Sequence, residues 1–307
     1  MADREGFFNP RNAAFFSVYI GIMSEKTSRR NFLKAAGAGL AAPKLASLLG
    51  APLDKFGQES STPKTKFTQG LASYTFRAFG LEETLGFMKR LGLETISLKS
   101  VHLALESSPD EIQKAAEKIK AAGCDLYAGG VIYMRSEKEV EQAFSYAKVA
   151  GMRIIVGVPN HDLLDLVQKN VFDSDIRVAI HNHGPGDKLY PTPESVYQKI
   201  SGLDPRIGLC LDLGHTLRSA VDPADAAERF FDRLLDVHIK DVTAASAEGG
   251  AIEVGRGVAD IPKFLRTLLK LGYSGVVSLE YEKDEKDPLP GAAESVGYIR
   301  GALASIG

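Results

Sequence analysis

The segment 176-IRVAIHNHGPGD-187 sets a short apolar run directly before two histidines and a Gly-Pro-Gly turn. Read as a strand, Val178 and Ile180 fall on one face, and Ala179, His181 and His183 on the other, because side chains alternate along extended backbone. The chain has six histidines, so a pair closing one strand needs a cause. A polar strand end and a binding site both fit the pair alone.

The same alternation recurs along the chain. Leu209, Leu211 and Leu213 alternate with Cys210 and Asp212; Val237 and Ile239 with Asp236, His238 and Lys240; Val277 and Leu279 with Ser278, Glu280 and Glu282; Ile96 and Leu98 with Ser97 and Lys99. In each run the apolar set can meet a helix layer and the ionisable set then points the other way. In each run the ionisable residue closes the strand.

Around these runs strands and helices alternate, which marks βα units. Strands are expected at 69–76, 94–99, 125–132, 153–158, 176–182, 207–212, 234–240 and 275–281. Helical stretches include 81-LEETLGFMKRLG-92, 109-PDEIQKAAEKIKAAG-123 and 136-SEKEVEQAFSYAKVAG-151. Ser108 or Pro109, and Ser136 with Glu139, are start signals; Gly92, Gly123 and Gly151 are end signals. Eight such units over about 240 residues predict an α/β fold, a single-domain (β/α)8 TIM barrel over 68–307. A doubly wound sheet usually carries a glycine-rich phosphate loop after its first strand, and 73-SYTFRAFG-80 does not fit one. The barrel places the ionisable strand ends inside its C-terminal mouth, where barrel enzymes keep their active sites.

Composition is ordinary for a soluble globular chain, with 44% hydrophobic and 25% charged residues. Residues 1–50 carry seven Lys/Arg and three acids, which leaves 30 basic and 36 acidic residues, net −6, beyond them. An acidic body argues against nucleic-acid binding. Cys124 and Cys210 lie in apolar surroundings and read as buried core residues. At the N-terminus, 28-SRRNFLKAAGAGLAA-42 resembles a twin-arginine export signal, and Met23 is a candidate start. Pro43 and Lys44 interrupt the run, so it is too short for a stable membrane span. Residues 1–50 are read as this extension, with an exported, extracytoplasmic protein implied, and 51–67 as a linker.

The inward strand ends collect Lys99 with His102 from strand two, His181 and His183 from strand five, Asp212 with His215 from strand six, His238, Lys240 and Asp241 from strand seven, and Glu280 from strand eight. Buried charges at this density must be paired or bound to metal. Two imidazoles and two carboxylates from four strands could hold one divalent ion, with Mn, Co, Fe and Zn all compatible with mixed nitrogen and oxygen ligation.

The segments 210-CLDLGH-215, 236-DVHIKD-241, 254-VGRGVADIP-262 and 278-SLEYE-282 resemble the xylose isomerase-like TIM-barrel superfamily, and within it the sugar phosphate isomerase/epimerase family. The resemblance covers roughly 68–307. It implies Asp212, His238 and Glu280 as metal ligands and His215 as a substrate contact. By this resemblance many relatives carry a glutamate where this chain has His181, so His181 stands in the fourth ligand's place. That leaves two carboxylate ligands and breaks the pair of glutamates that moves protons in the epimerases. It further implies proton abstraction beside the carbonyl of a carbohydrate, through an enediolate. Glu280, Lys99 and His183 are the catalytic candidates; His102, His215, Lys240 and Arg256 are candidate substrate contacts. The first expectation is a metal-dependent sugar isomerase or epimerase. The second is a lyase or hydratase of 3-keto-glycosides or inosose-like compounds; the third, a non-catalytic sugar-binding barrel. A homodimer is compatible with the resemblance, although no interface is named by the residues.

Overall fold

The computed structural model describes residues 66–306. The twin-arginine segment, Met23 and nearly all of the 51–67 linker lie outside the described residues. Eight parallel strands close into a barrel: β1 Thr68–Ala72, β2 Thr95–Leu98, β3 Asp125–Met134, β4 Ile154–Pro159, β5 Arg177–His181, β6 Ile207–Asp212, β7 Leu234–Ile239 and β8 Val276–Leu279. β1 pairs with both β2 and β8, which shuts the ring. Around it run α1 Leu81–Leu91, α2 Pro109–Ala121, α3 Glu137–Ala150, α4 Leu164–Ser174, α5 Pro193–Ile200, α6 Leu213–Arg218, α7 Pro223–Arg229, α8 Ile261–Leu271 and α9 Leu289–Ile306. This is the expected (β/α)8 TIM barrel. No helix among the described residues is long and apolar enough to cross a membrane.

Local chemistry sets the helix limits. Ser108 Oγ accepts from Glu111 N, and the Glu111 carboxylate accepts from Ser108 N at 2.8 Å, a reciprocal cap for α2. Ser136 Oγ accepts from Glu139 N to start α3, but the Glu139 carboxylate turns to Arg135 N instead of closing the box. Gly92 and Gly151 end α1 and α3 at φ +63° and +70°, a region open to glycine at little cost.

Three sequence expectations need correction. Strand one ends at Ala72, and Ser73–Phe76 form a 3-10 turn. Side chains stitch that turn in place: Ser73 Oγ accepts from Lys99 N, while Thr75 Oγ1 donates to the Leu279 carbonyl and accepts from Tyr281 N. Cys124 is half-buried, not a core residue, because α2 stops at Ala121 and the chain is already at the surface. Phe67, read as the last linker residue, is buried against Tyr273 with ring centroids 6.4 Å apart.

The apolar strand faces do meet the helices. Val178, Ile180, Leu209, Leu211, Val237, Ile239, Val277 and Leu279 are buried in one core with Phe264, Leu265 and Leu268 of α8. Burying each such side chain stabilises the fold by about 1.5–3 kcal/mol. The barrel interior has its own core of Tyr127, Ala128, Ile154, Val156, Ala179 and Cys210. Above it lies a polar layer: the Tyr127 hydroxyl donates to Asp236 Oδ1 at 3.0 Å and lies 2.9 Å from Ser278 Oγ. The ionisable strand ends stand on this floor.

Candidate active site and metal centre

His181, Asp212, His238 and Glu280 end β5 and β6, lie within β7, and follow β8, so barrel closure brings four strands' side chains to one point. One ligand atom from each lies within 4.8 Å of the others. All four are buried, the most accessible being Glu280 at 6%. His181 Nε2 is 3.4 Å from Asp212 Oδ2, and His238 Nδ1 is 3.3 Å from Glu280 Oε2. Among the described residues, His181 Nε2 and His238 Nδ1 have no hydrogen-bond partner despite burial, and Asp212 Oδ2 has only charge contacts, with Lys240 Nζ at 3.1 Å and His181 Nε2 at 3.4 Å. Buried polar atoms are normally satisfied, and a divalent ion would satisfy these together. The mixed donor set fits such an ion and does not choose among metals.

Neighbouring groups hold the ligands in place. Asn182 Oδ1 accepts from Asp212 N at 3.0 Å, and its Nδ2 donates to Thr216 Oγ1 at 3.1 Å, tying the ends of β5 and β6. Asp212 Oδ1 accepts from His215 N at 2.8 Å and caps α6, which leaves Oδ2 for the cluster. Burial pushes the Asp212 carboxyl up, but Lys240, His215 and His181 outweigh it and hold it well below the usual range. Glu280 follows the same pattern, with Lys240 and His238 overcoming burial. Burial drives the His181 imidazole far down, so it is neutral and able to ligate.

A cavity of about 360 Å³ opens above the cluster. The structure places Lys99, His183, His215 and Glu280 of the expected site there, with His181 in the wall. Lys99 Nζ donates to the Val131 carbonyl at 2.8 Å, and burial lowers its pKa against the pull of Glu280 and Glu282. His183 stacks on Tyr133, 5.6 Å between centroids, with its pKa drawn down to about 4 by burial and by His215. Gly184 turns at φ +82°, and a Cβ there would sit 3.2 Å from His215, so glycine lets the two loops close. Lys240 lies beneath, 3% exposed, with Nζ 3.1 Å from Asp212 Oδ2 and 2.9 Å from Glu280 Oε2.

Three expected substrate contacts do not line the cavity: Lys240, buried beneath it, His102 and Arg256. His102 is held by the fold: Nδ1 lies 3.0 Å from Ser73 Oγ, and Nε2 lies 3.1 Å from Thr84 Oγ1. Arg256 is on the outer surface, paired with Glu294 of α9. Asp241 also turns away from the cluster. Its carboxylate accepts from the backbone N–H groups of Val242, Gly255, Gly257 and Ala259 and fastens the 254–259 loop. Conversely, Tyr74, Val131, Tyr133 and Glu282 line the cavity without having been singled out. Glu282 shares the parity of Glu280 and was readable. Tyr133 was not, because β3 shifts register between Gly130 and Ile132 and the alternation breaks. A second hollow, about 430 Å³ at the N-terminal mouth, is lined by strand starts such as Thr68 and Thr95; the His-Asp-His-Glu cluster does not line it.

Residues 68–302 match the sequence pattern described as Xylose isomerase-like TIM barrel. The chain belongs to that family. Among curated proteins of similar sequence, it is 30% identical to the rhizopine catabolism protein MocC of Rhizobium meliloti over 151 residues, 44% of this chain and 46% of that protein. It is 30% identical to an inosose dehydratase of Bacillus licheniformis over 150 residues, 43% of this chain and 49% of the relative. These matches span about half the length of the curated relatives. In the same fold, the solved IolI protein with a bound zinc atom superposes with TM-score 0.66 at 18% identity, covering 78% of this chain and 98% of that one. The 3-keto-D-glucoside 4-epimerase YcjR from E. coli superposes at 0.63 and 17% identity, covering 76% and 99%.

Proposed function

We propose that this protein is a metal-dependent sugar isomerase or epimerase that moves a proton beside the carbonyl of a keto-sugar. The observation that carries the reading is a buried His-Asp-His-Glu cluster facing a cavity with proton carriers on opposite walls. A divalent ion held by His181, Asp212, His238 and Glu280 would supply Lewis acidity for a carbonyl oxygen. Lys99 follows β2, and His215 follows β6, across the ring. A base on one wall and an acid on the other can remove a proton from one face of a carbon and return it to the other. Burial favours the neutral forms of Lys99 and His183, which suits a base and a neutral donor or acceptor.

A second reading is a dehydratase on the same site, acting on inosose-like compounds or 3-keto-glycosides. It is favoured by His181 standing where the family resemblance implies a carboxylate, and by inosose dehydratases among the curated relatives. One experiment addresses both. The ion-loaded protein is incubated in D2O with a panel of keto-sugars, inososes and 3-keto-glycosides. Deuterium incorporation with an epimerised or isomerised product supports the first reading; loss of water with an absorbing enone supports the second. Neither exchange nor product on any member would leave the sugar-binding barrel in first place.

We also infer export for a chain bearing the twin arginine at 29–30. Cell fractionation of wild type and an Arg29→Lys, Arg30→Lys variant tests this; equal retention of both in the cytoplasm would reject it.

A further inference from the structure

Lys240 shares its partners with the metal centre. Its Nζ is 3.1 Å from Asp212 Oδ2 and 2.9 Å from Glu280 Oε2. These two oxygens also face the cluster imidazoles, His181 Nε2 at 3.4 Å and His238 Nδ1 at 3.3 Å. One pair of oxygens is therefore approached by imidazole nitrogens and by an ammonium group. A divalent ion drawing on the same oxygens would stand within a few ångströms of that ammonium, and like charges at such separation repel strongly in a buried site. The lysine already holds a third partner that could keep it alone. Glu282 Oε1 lies 2.6 Å from Nζ, and the Glu282 side chain is 31% exposed at the cavity, against 7% for Glu280. The stem is fixed, since a Cβ on Gly214 would come within 2.8 Å of Lys240 Cδ. Only the head needs to shift.

We propose that Lys240 is an internal counter-cation that competes with the divalent ion for Asp212 Oδ2 and Glu280 Oε2, and that ion entry drives its ammonium off these two oxygens and leaves it to Glu282 alone. The residue thereby weakens metal binding and stabilises the ion-free protein, in which Asp212 and Glu280 would otherwise be buried without a compensating cation. This inference rests on the metal-centre reading above.

The test uses full-length protein stripped with a chelator and titrated with zinc and with manganese by calorimetry, beside thermal melts with and without ion. Lys240→Met and Lys240→Gln are expected to bind zinc at least about tenfold more tightly than wild type. Their ion-free forms should melt lower, and added ion should raise their melting temperature more than it raises wild type's. Lys240→Arg keeps the charge and should show no tightening. Lys240→Gln retains a donor for Glu282 and covers the case in which Lys240→Met folds poorly without ion. Equal or weaker zinc binding by both neutral variants overturns the proposal while leaving the metal centre standing. Asp212→Ala is the control for the centre itself. If wild type takes up no ion, or Asp212→Ala binds it as wild type does, the metal-centre reading falls and this inference with it.

Discussion

His181 Nε2 lies 3.4 Å from Asp212 Oδ2 across the ends of adjacent strands, and solvent reaches neither side chain. Among the described residues His181 Nε2 lacks a hydrogen-bond partner, and Asp212 Oδ2 is otherwise met only by the Lys240 ammonium at 3.1 Å, an arrangement that fits an ion between the two. His181→Ala and Asp212→Ala should each weaken divalent-ion binding by about a hundredfold or more, and His181→Glu should retain it. Elemental analysis of the purified variants reads this directly. Full ion content in His181→Ala would place that histidine outside the ligand set.

Lys99 is the strand-two residue that reaches the cavity, with Nζ 5.6 Å from the centre of the Tyr74 ring. As a proton carrier, its loss in Lys99→Met should cut turnover on the identified substrate by about 10²–10⁴-fold. Ion content should stay at the wild-type level, because Lys99 is not in the cluster. Turnover within a factor of about three of wild type would reduce Lys99 to the partner of the Val131 carbonyl.

Asp241 gathers four backbone N–H groups on a single buried carboxylate, that of its neighbour Val242 and three from the 254–259 loop. Asp241→Ala leaves those donors without an acceptor. Each buried unsatisfied donor costs about 1–3 kcal/mol before relaxation, so a loss of about 3 kcal/mol or more is expected in chemical denaturation. A loss below about 1 kcal/mol would show that water or a loop rearrangement replaces the carboxylate.

Arg206 grips Asp204 through Nε at 3.0 Å and Nη2 at 2.8 Å and draws its carboxyl down to about 2. A depressed carboxyl stabilises the fold above its unfolded pKa, near 4, and that contribution disappears as pH falls through about 2. The pair is partly exposed, so solvent screens it and its contribution is small. Asp204→Asn should therefore melt below wild type at pH 6, and the difference should shrink between about pH 4 and pH 2. A constant difference across that window would remove the ionic contribution.

Much of the candidate site was legible because strand parity and barrel closure are periodic. Val178 and Ile180 against His181, and Val237 and Ile239 against His238, read the same way in sequence and in space. The misses fall where periodicity stops. His102 lies past the end of β2, where nothing in the sequence says that its ring turns to Ser73 and Thr84. Arg256 sits in a loop whose course depends on Asp241, fifteen residues earlier in the chain. Tyr133 follows a register shift that no local pattern announces.

By itself, the sequence determined the succession of βα units, most of their boundaries, and which strand residues face inward, because these follow from alternation, capping residues and turn glycines. Only the tertiary structure decided which inward residues meet. Lys240 lies two positions after His238, just past the end of β7, and its ammonium is shared by carboxylates from β6 and from the residues after β8. That sharing depends on the closure and tilt of the barrel, which are long-range properties of all eight strands and leave no mark on any one of them.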